Sequence, residues 1–349
     1  MEYFQDHNEG SSDSENPEQT QQIFLDKSLF SPFLFKTLEV QKGVGFFNEP
    51  ACYNPKHNMV IACPGYTVQF YDATTFKPCK KREALKLQAA VMRISFQPET
   101  DTYLLGCRSG PIYKYNISKN ELKMLERMDD TVLGITFLDS GFYALSLLDS
   151  KKLYIRNLDD ETMLEFDLRR YASYGLHYLS KRKLLFAGLE NGFVRVYRIN
   201  KLPHLKVICS VRTKGWTLAL QSFTVNGKEY VVTISEDQTV RIWHLLKGKM
   251  RLLKVLYNGR GFRSLVYLEN YKMIAIAYEP SEISFFRFPS MKLERKVELK
   301  KDGLNHLFVM KDKNMIGATN DSEGFIDFIQ LHPRGTSSLN GLKEDEEED

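Results

Sequence analysis

Long hydrophobic runs are missing from this 349-residue sequence. No apolar stretch approaches the ~20 residues that a membrane-spanning helix needs, so an integral helical membrane protein is not expected. Cysteine is scarce. Cys52, Cys63, Cys79, Cys107 and Cys209 are odd in number and include no C-x-x-C pair. That spacing argues against a zinc site or a disulfide framework and fits reduced core thiols. The N-terminus, from Met1 to Asp6, has neither a basic n-region nor an apolar h-region. A cleaved secretory signal is not expected, and the chain is placed in the cytoplasm or nucleus.

Catalytic signatures are absent as well. The histidines, His7, His57, His177, His204, His244, His306 and His332, form no H-x-x-x-H or H-E-x-x-H pair. There is no G-x-S-x-G elbow and no P-loop. Gly43-Val44-Gly45 and Gly259-Arg260-Gly261 precede predicted strands and fall short of a dinucleotide fingerprint, so they read as turn glycines. Asp129-Asp130 and Asp159-Asp160 fall in predicted interstrand loops and read as solvated turns. The expectation is a non-enzymatic chain with no catalytic residue, cofactor or metal ligand.

What the sequence does contain is an ordinary globular balance, 43% hydrophobic and 26% charged, which rules out wholesale disorder. Charge is unevenly spread. Residues 1–21 carry Glu2, Asp6, Glu9, Asp13, Glu15 and Glu18 and no base. Residues 334–349 carry Glu344, Asp345, Glu346, Glu347, Glu348 and Asp349 against Arg334 and Lys343. The body, 22–333, keeps 46 bases and 32 acids, a net charge of +14. Both arms are too poor in aliphatic residues to offset their ordering entropy and are expected to be disordered. Ser11, Ser12 and Ser14 lie among acids, where phosphorylation would deepen the negative charge and let the arm shield a basic face.

A repeat runs through the body. From Tyr230 to His244, two β-rich runs flank the polar turn Glu236-Asp237-Gln238, as in an antiparallel hairpin. The phrase recurs as MVIACPGYTVQFY (59–71), YLLGCRSGPIYKY (103–115), YALSLLDSKKLYIR (143–156), LLFAGLENGFVRVY (184–197), MIAIAYEPSEISFF (273–286) and MIGATNDSEGFIDFI (315–329). With the Trp243 position as marker, the copies fall at 71, 115, 156, 197, 243, 286 and 329. Intervals of 41 to 46 residues are those of four-stranded propeller blades.

The run Ser235-Glu236-Asp237-Gln238-Thr239-Val240-Arg241-Ile242-Trp243-His244 resembles the WD40 repeat, and the resemblance covers residues 35–332. It implies an all-β, seven-bladed β-propeller of four-stranded antiparallel blades. It also implies a scaffold subunit of a multi-protein assembly. Aspartate follows the marker only at Asp72, tryptophan fills it only at Trp243, and the family's Gly-His dipeptide is missing. The Asp-His-Ser-Trp network of typical blades is therefore not expected, and apolar stacking must carry the load.

Inner strands align on VMRISF (91–96), with Ala51-Cys52-Tyr53-Asn54-Pro55 matching Ile94-Ser95-Phe96-Gln97-Pro98. The position expected to face the channel axis reads Arg93, Gly134, Gly175, Ala219, Ser264 and His306, mostly small, as a crowded axis demands. The last copy lacks a fourth strand, and an open sheet edge invites aggregation. The segment from Phe33 to Val40 is expected to supply that strand and close the ring.

Loops leading into the inner strands should surround the channel mouth. They carry Arg169-Arg170, Arg212 with Lys214, Arg260 with Arg263, Lys300-Lys301 and, more weakly, Lys86. Arg108 lies in a turn on the same face, Trp216 sits next to Lys214, and Asp129-Asp130 interrupts the ring. The candidate partner site is thus Arg93, Arg108, Arg169, Arg170, Arg212, Lys214, Trp216, Arg260, Arg263, Lys300, Lys301 and His306, receiving an acidic or phosphorylated protein. RNA or a ribonucleoprotein is the alternative partner. Leu168-Arg169-Arg170-Tyr171 also resembles the F/L-R-R-G motif of phosphoinositide-binding propellers, with Tyr171 where glycine is expected, so anionic lipid ranks third. Lys77, Lys80, Lys81, Arg82 and Lys86 form a second basic cluster that reads as edge protection.

Overall fold

A computed structural model describes residues 30–40, 50–139, 141–159, 163–168, 171–202, 204–257, 261–321 and 324–333. The acidic arms, Arg169, Arg170, Arg260, Gly43, Gly45 and Gly259 lie outside the described residues. Strand β1 (Phe30–Glu39) precedes the first blade, which comprises β2 (Ala51–Asn54), β3 (Met59–Ala62), β4 (Thr67–Asp72) and β5 (Leu85–Lys86). Blade two holds β6 (Val91–Gln97), β7 (Thr102–Cys107), β8 (Pro111–Asn116) and β9 (Glu121–Arg127). Blade three holds β10 (Val132–Phe137), β11 (Phe142–Leu147), β12 (Lys152–Asn157) and β13 (Met163–Asp167). Blade four holds β14 (Ser173–Leu179), β15 (Leu184–Leu189), β16 (Phe193–Lys201) and β17 (His204–Arg212). Blade five holds β18 (Thr217–Val225), β19 (Lys228–Ser235), β20 (Thr239–Leu246) and β21 (Lys249–Tyr257). Blade six holds β22 (Phe262–Leu268), β23 (Met273–Tyr278), β24 (Glu282–Arg287) and β25 (Lys292–Glu298). Blade seven has only β26 (Leu304–Met310), β27 (Met315–Asn320) and β28 (Phe325–Pro333) of its own.

The seven sheets are antiparallel and four-stranded, and the seventh reads β1-β28-β27-β26. The N-terminal strand therefore closes the ring, as the strand count demands. Its pairing with β28 runs from Phe30 opposite Pro333 to Glu39 opposite Phe325. Thr37 donates its hydroxyl to the buried Asp327 carboxylate across that seam.

The hairpin register repeats as the sequence does. The marker residues Tyr71, Tyr115, Arg156, Tyr197, Trp243, Phe286 and Ile329 each pair with the β-partner in the same place, namely Val60, Tyr103, Tyr143, Leu185, Val231, Ile274 and Ile316. Strand alternation then sends alternate side chains to opposite faces of each sheet, where neighbouring blades meet. Apolar clusters accordingly fill the gaps between adjacent blades. One joins Tyr103, Leu105 and Tyr115 to Ile61 and Phe70 across blades one and two. Another joins Phe308, Met310 and Phe328 to Tyr53, Tyr71 and Phe76 across blades seven and one. That last contact shows a shut ring rather than an open arc.

Apolar stacking does replace the typical polar network. Trp243 keeps a single buried hydrogen bond, from its indole N–H to the Thr233 hydroxyl at 3.1 Å. In blade three the marker Arg156 ion-pairs with Glu126, which also accepts from the Tyr143 hydroxyl at 2.6 Å.

Candidate functional site

Inner strands β6, β10, β14, β18, β22 and β26 share one irregularity. Their register with the second strand shifts by one residue at Val91/Arg93, Val132/Gly134, Ser173/Gly175, Thr217/Ala219, Phe262/Ser264 and Leu304/His306. Each shift is a bulge, and a bulge re-aims the side chains beside it. The residue after each bulge faces the axis. Arg93, Gly134, Gly175, Ala219, Ser264 and His306, with Ala51 and Cys52 of β2, line a channel cavity of about 270 Å³.

The bulged residues themselves turn up towards the mouth. Tyr174, Leu218, Arg263 and Asn305 line a second cavity of about 390 Å³, together with Arg93, Trp216, Glu236, Gln238, Gly261, Phe262 and Glu279. Arg93 borders both cavities. It is 7% exposed, and its side chain spans the narrow axis. Its Nε donates to the Leu133 carbonyl at 2.6 Å and an Nη to the Tyr174 carbonyl at 2.7 Å. Those two acceptors belong to bulged residues of blades three and four. Arg93 thus ties three blades together and forms the floor of the mouth.

The Trp216 wall is built locally. Gly215 is required there because a Cβ would come within 2.8 Å of the Asp237 backbone nitrogen. The Gly215 carbonyl accepts from Ser235 Oγ at 2.7 Å and from Thr213 Oγ1 at 2.9 Å. Trp216 receives the Glu236 N–H at 2.9 Å on its carbonyl. Its indole stacks on Tyr174, centroids 5.4 Å apart and planes 20° apart, and stays 36% exposed. Burial, with Glu190 and Glu236 nearby, raises the Tyr174 phenol above its ordinary pKa, so the stack is uncharged at neutral pH.

The turn that presents Glu236 and Gln238 is held by Asp237. Its carboxylate accepts from Arg241 Nη2 at 2.5 Å and from Thr239 Oγ1 at 2.6 Å. Burial works against the Asp237 anion, yet the Arg241 and Thr239 hydrogen bonds bring its pKa below the usual carboxylate value.

The structure brings some nominated residues together and leaves others apart. Arg93, Trp216 and Arg263 line the mouth cavity, and His306 lines the channel below, its Nδ1 3.4 Å from Ser264 Oγ. Arg108, Lys214, Lys300 and Lys301 are exposed on surrounding loops, and Arg212 is exposed at the end of β17. Arg212 lies over the Phe193 ring at 5.7 Å and Lys301 over Phe325 at 5.2 Å. In the second basic cluster, Arg82 Nη1 donates to the Tyr115 hydroxyl at 3.2 Å.

The mouth also holds residues that the sequence did not single out. Tyr174 is one, and the signal for it was its place directly before the small axis residue Gly175. Glu236 and Glu279 are two more, beside Leu218, Gln238, Phe262 and Asn305. The two glutamates sit in turns between the second and third strands, and those turns share a face with the loops feeding the inner strands. Glu279 ion-pairs with Arg263, both side chains being about half exposed. The cavity wall is therefore of mixed charge, and further bases stand around it on the rim.

No family model matches the chain, and no curated protein matches it. Among solved structures it is similar to the crystal structure of the Cps50 (Swd1) beta-propeller domain of Myceliophteria thermophila, at a TM-score of 0.72 and 12% identity, over 86% of this chain and 99% of that one. At that identity the likeness is one of fold: this chain is built as a seven-bladed β-propeller.

Proposed function

We propose that the chain is a non-enzymatic interaction scaffold, a WD40-type subunit of a multi-protein assembly that holds an acidic or phosphorylated partner across the loop face. The observation that carries this reading is the 390 Å³ mouth cavity walled by the Tyr174–Trp216 stack and floored by Arg93. A partly exposed tryptophan at the edge of a cavity is the kind of group that anchors one partner side chain with most of the binding energy. Arg263 is held by Glu279, and the exposed rim bases Arg108, Arg212, Lys214, Lys300 and Lys301 stand where an acidic partner would meet them. Arg169, Arg170 and Arg260 belong to the same proposed face by sequence.

Affinity capture with and without nuclease tests this. A fixed, nuclease-resistant protein set should be lost on Trp216→Ala and weakened by Arg212→Glu with Lys214→Glu, with the thermal midpoint unchanged. The same stack offers a platform for a nucleobase, which makes RNA the rival partner. Capture that disappears with nuclease, or that survives Trp216→Ala, refutes the protein-scaffold reading.

A further inference from the structure

The fourth strand of each blade forms the outer circumference, and among the described residues no strand pairs with its outward edge. Native proteins usually protect such edges with charge of both signs or by keeping them short. Strand β5 has two residues, β9 exposes Glu121, Lys123 and Arg127, and β25 exposes Lys292, Arg295, Lys296 and Glu298. β17 (nine residues) also lacks acids, with Lys206 and Arg212 exposed, but bares one large apolar side chain, Val207; β21 departs furthest. Over nine residues it exposes Leu252, Leu253 and Val255, each close to half, and Tyr257 at 73%. Every charged group on it is a base. From His244 to Arg263 the sequence holds Lys247, Lys249, Arg251, Lys254, Arg260 and Arg263 and no acid.

Lys254 donates to the Ser290 carbonyl, whereas Lys247, Lys249 and Arg251 make no ion pair among the described residues. The register shift between Ile242 and Trp243 skips Leu253, which divides the edge into 249–252 and 254–257. Roughly every second residue of such an edge points its N–H and C=O away from the sheet. At the far end the Tyr257 hydroxyl reaches Gln238 of the mouth at 3.2 Å.

We infer that β21 is a docking edge for an extended segment of a partner protein in which carboxylates alternate with aliphatic residues. The segment adds as a fifth strand along 254–257 and runs on past the bulge at Leu253 to Arg251. Its apolar side chains cover Leu253 and Val255, and its acids face Arg251 and Lys254. Main-chain pairing supplies affinity and the side chains supply selectivity. Charge decides against a second copy of this chain, since two β21 strands paired with each other would place Lys249, Arg251 and Lys254 of both in one ladder. The free backbone groups decide against a membrane surface, because hydrocarbon cannot satisfy them.

The test uses the full chain and a labelled octapeptide alternating Glu and Val, against the same peptide with its two central Val replaced by Pro, which cannot donate to a ladder. Fluorescence anisotropy should show binding of the first peptide at about 10–100 μM and at least about tenfold weaker binding of the second. Amide exchange over 249–257 should slow on binding. Leu253→Glu with Val255→Glu changes only exposed side chains. It should weaken binding at least about tenfold at an unchanged thermal midpoint through like-charge contact. The inference falls if the two peptides bind alike or if neither binds at about 1 mM. It also falls if the wild type self-associates through β21 in sedimentation, or if phosphatidylserine vesicles bind the wild type but not the double variant. Binding that appears only after removal of residues 334–349 would make the chain's own tail the occupant and overturn the assignment to a partner.

Discussion

Replacing Phe30 by alanine isolates the closure of the ring. Phe30 is the first residue of β1 and is 7% exposed. Its ring meets Tyr271 and Phe285 edge-on, both at 5.3 Å, within the cluster between blades six and seven. Truncating a buried phenylalanine costs about 3–5 kcal/mol in a well-packed core. Phe30 lies at the margin of its cluster and the site can partly collapse, so the low end applies, about 3 kcal/mol. With a urea slope near 3 kcal/mol per M, the midpoint should drop by about 1 M. Phe33 lies on the same strand but is nearly half exposed, and Phe33→Ala should cost less than about 1 kcal/mol. Urea titration followed by tryptophan fluorescence reads both. Both tryptophans, Trp216 and Trp243, belong to blade five or the loop that enters it, away from the seam, so their emission reports whether the ring unfolds as one unit. Equal, small shifts for Phe30→Ala and Phe33→Ala would refute closure by β1. A shift seen by circular dichroism but not by tryptophan fluorescence would refute cooperativity around the ring.

Three further outcomes are expected. Burial pushes the Cys52 and Cys107 thiols up to about 12, from an ordinary 9.0, which lowers their thiolate fraction about a thousandfold. Alkylation at pH 8 should slow to the same extent between unfolded and folded protein, and mass spectrometry showing Cys107 modified within about tenfold of its unfolded rate would contradict this. A Cβ at Gly317 would lie 2.1 Å from Phe308 Cζ, so Gly317→Ala should destabilise by about 1–3 kcal/mol, and Phe308→Leu in the same chain should recover part of it; no recovery would place the strain elsewhere. Burial raises the pKa of Asp327 above its ordinary 3.8 despite the Thr37 hydrogen bond and Lys300. The native state then holds a proton that the unfolded state has lost, so stability falls as pH climbs above 3.8 through the native pKa. Asp327→Asn keeps an acceptor for Thr37 and cannot ionise, so its advantage should be near zero at acid pH, grow through that window and then level; a pH-independent difference would refute the assignment.

The parts of this molecule that were legible in the sequence are those that repeat. The marker interval gives the blade count because each hairpin buries the same pair of faces, and one residue of slip would send every apolar side chain to the wrong side. The axis positions were legible for the same reason. Seven strands converge there, and glycine, alanine and serine are what the space admits. Closure by β1 followed from counting strands. The mouth was only partly legible. Its wall is built by Tyr174, Leu218, Arg263 and Asn305, which share a bulge and not a chemistry. A bulge is a one-residue shift in backbone pairing and leaves no mark in composition. Glu236 and Glu279 sit in turns equivalent to the one that holds Arg108, so their face was legible, but nothing along the chain says that acids there would meet the mouth. β21 carries no motif to mark it along the chain and stands out only once the sheet order makes it an edge.

Arg93 shows how one exception to the axis rule changes what the fold can do. Glycine in five of its neighbours' places would leave a water-filled bore, but the axis here is not uniformly narrow. Gly134 and Gly175 carry no side chain into the axis, and the two inner strands after β6 therefore leave room for a long one. The Arg93 guanidinium enters that room and meets two carbonyls that point inwards because Leu133 and Tyr174 are bulged. A buried cation needs such acceptors to offset its lost hydration. The same bulge that turns the Tyr174 ring up against Trp216 turns its carbonyl in towards Arg93. Floor and wall of the mouth are thus one structural unit, in which Arg93 and Tyr174 border both the mouth cavity and the channel cavity. A cavity walled by a stacked aromatic pair can hold an anchoring side chain in a fixed geometry, and this is why the scaffold reading places its anchor at Trp216 and its charge recognition on the rim.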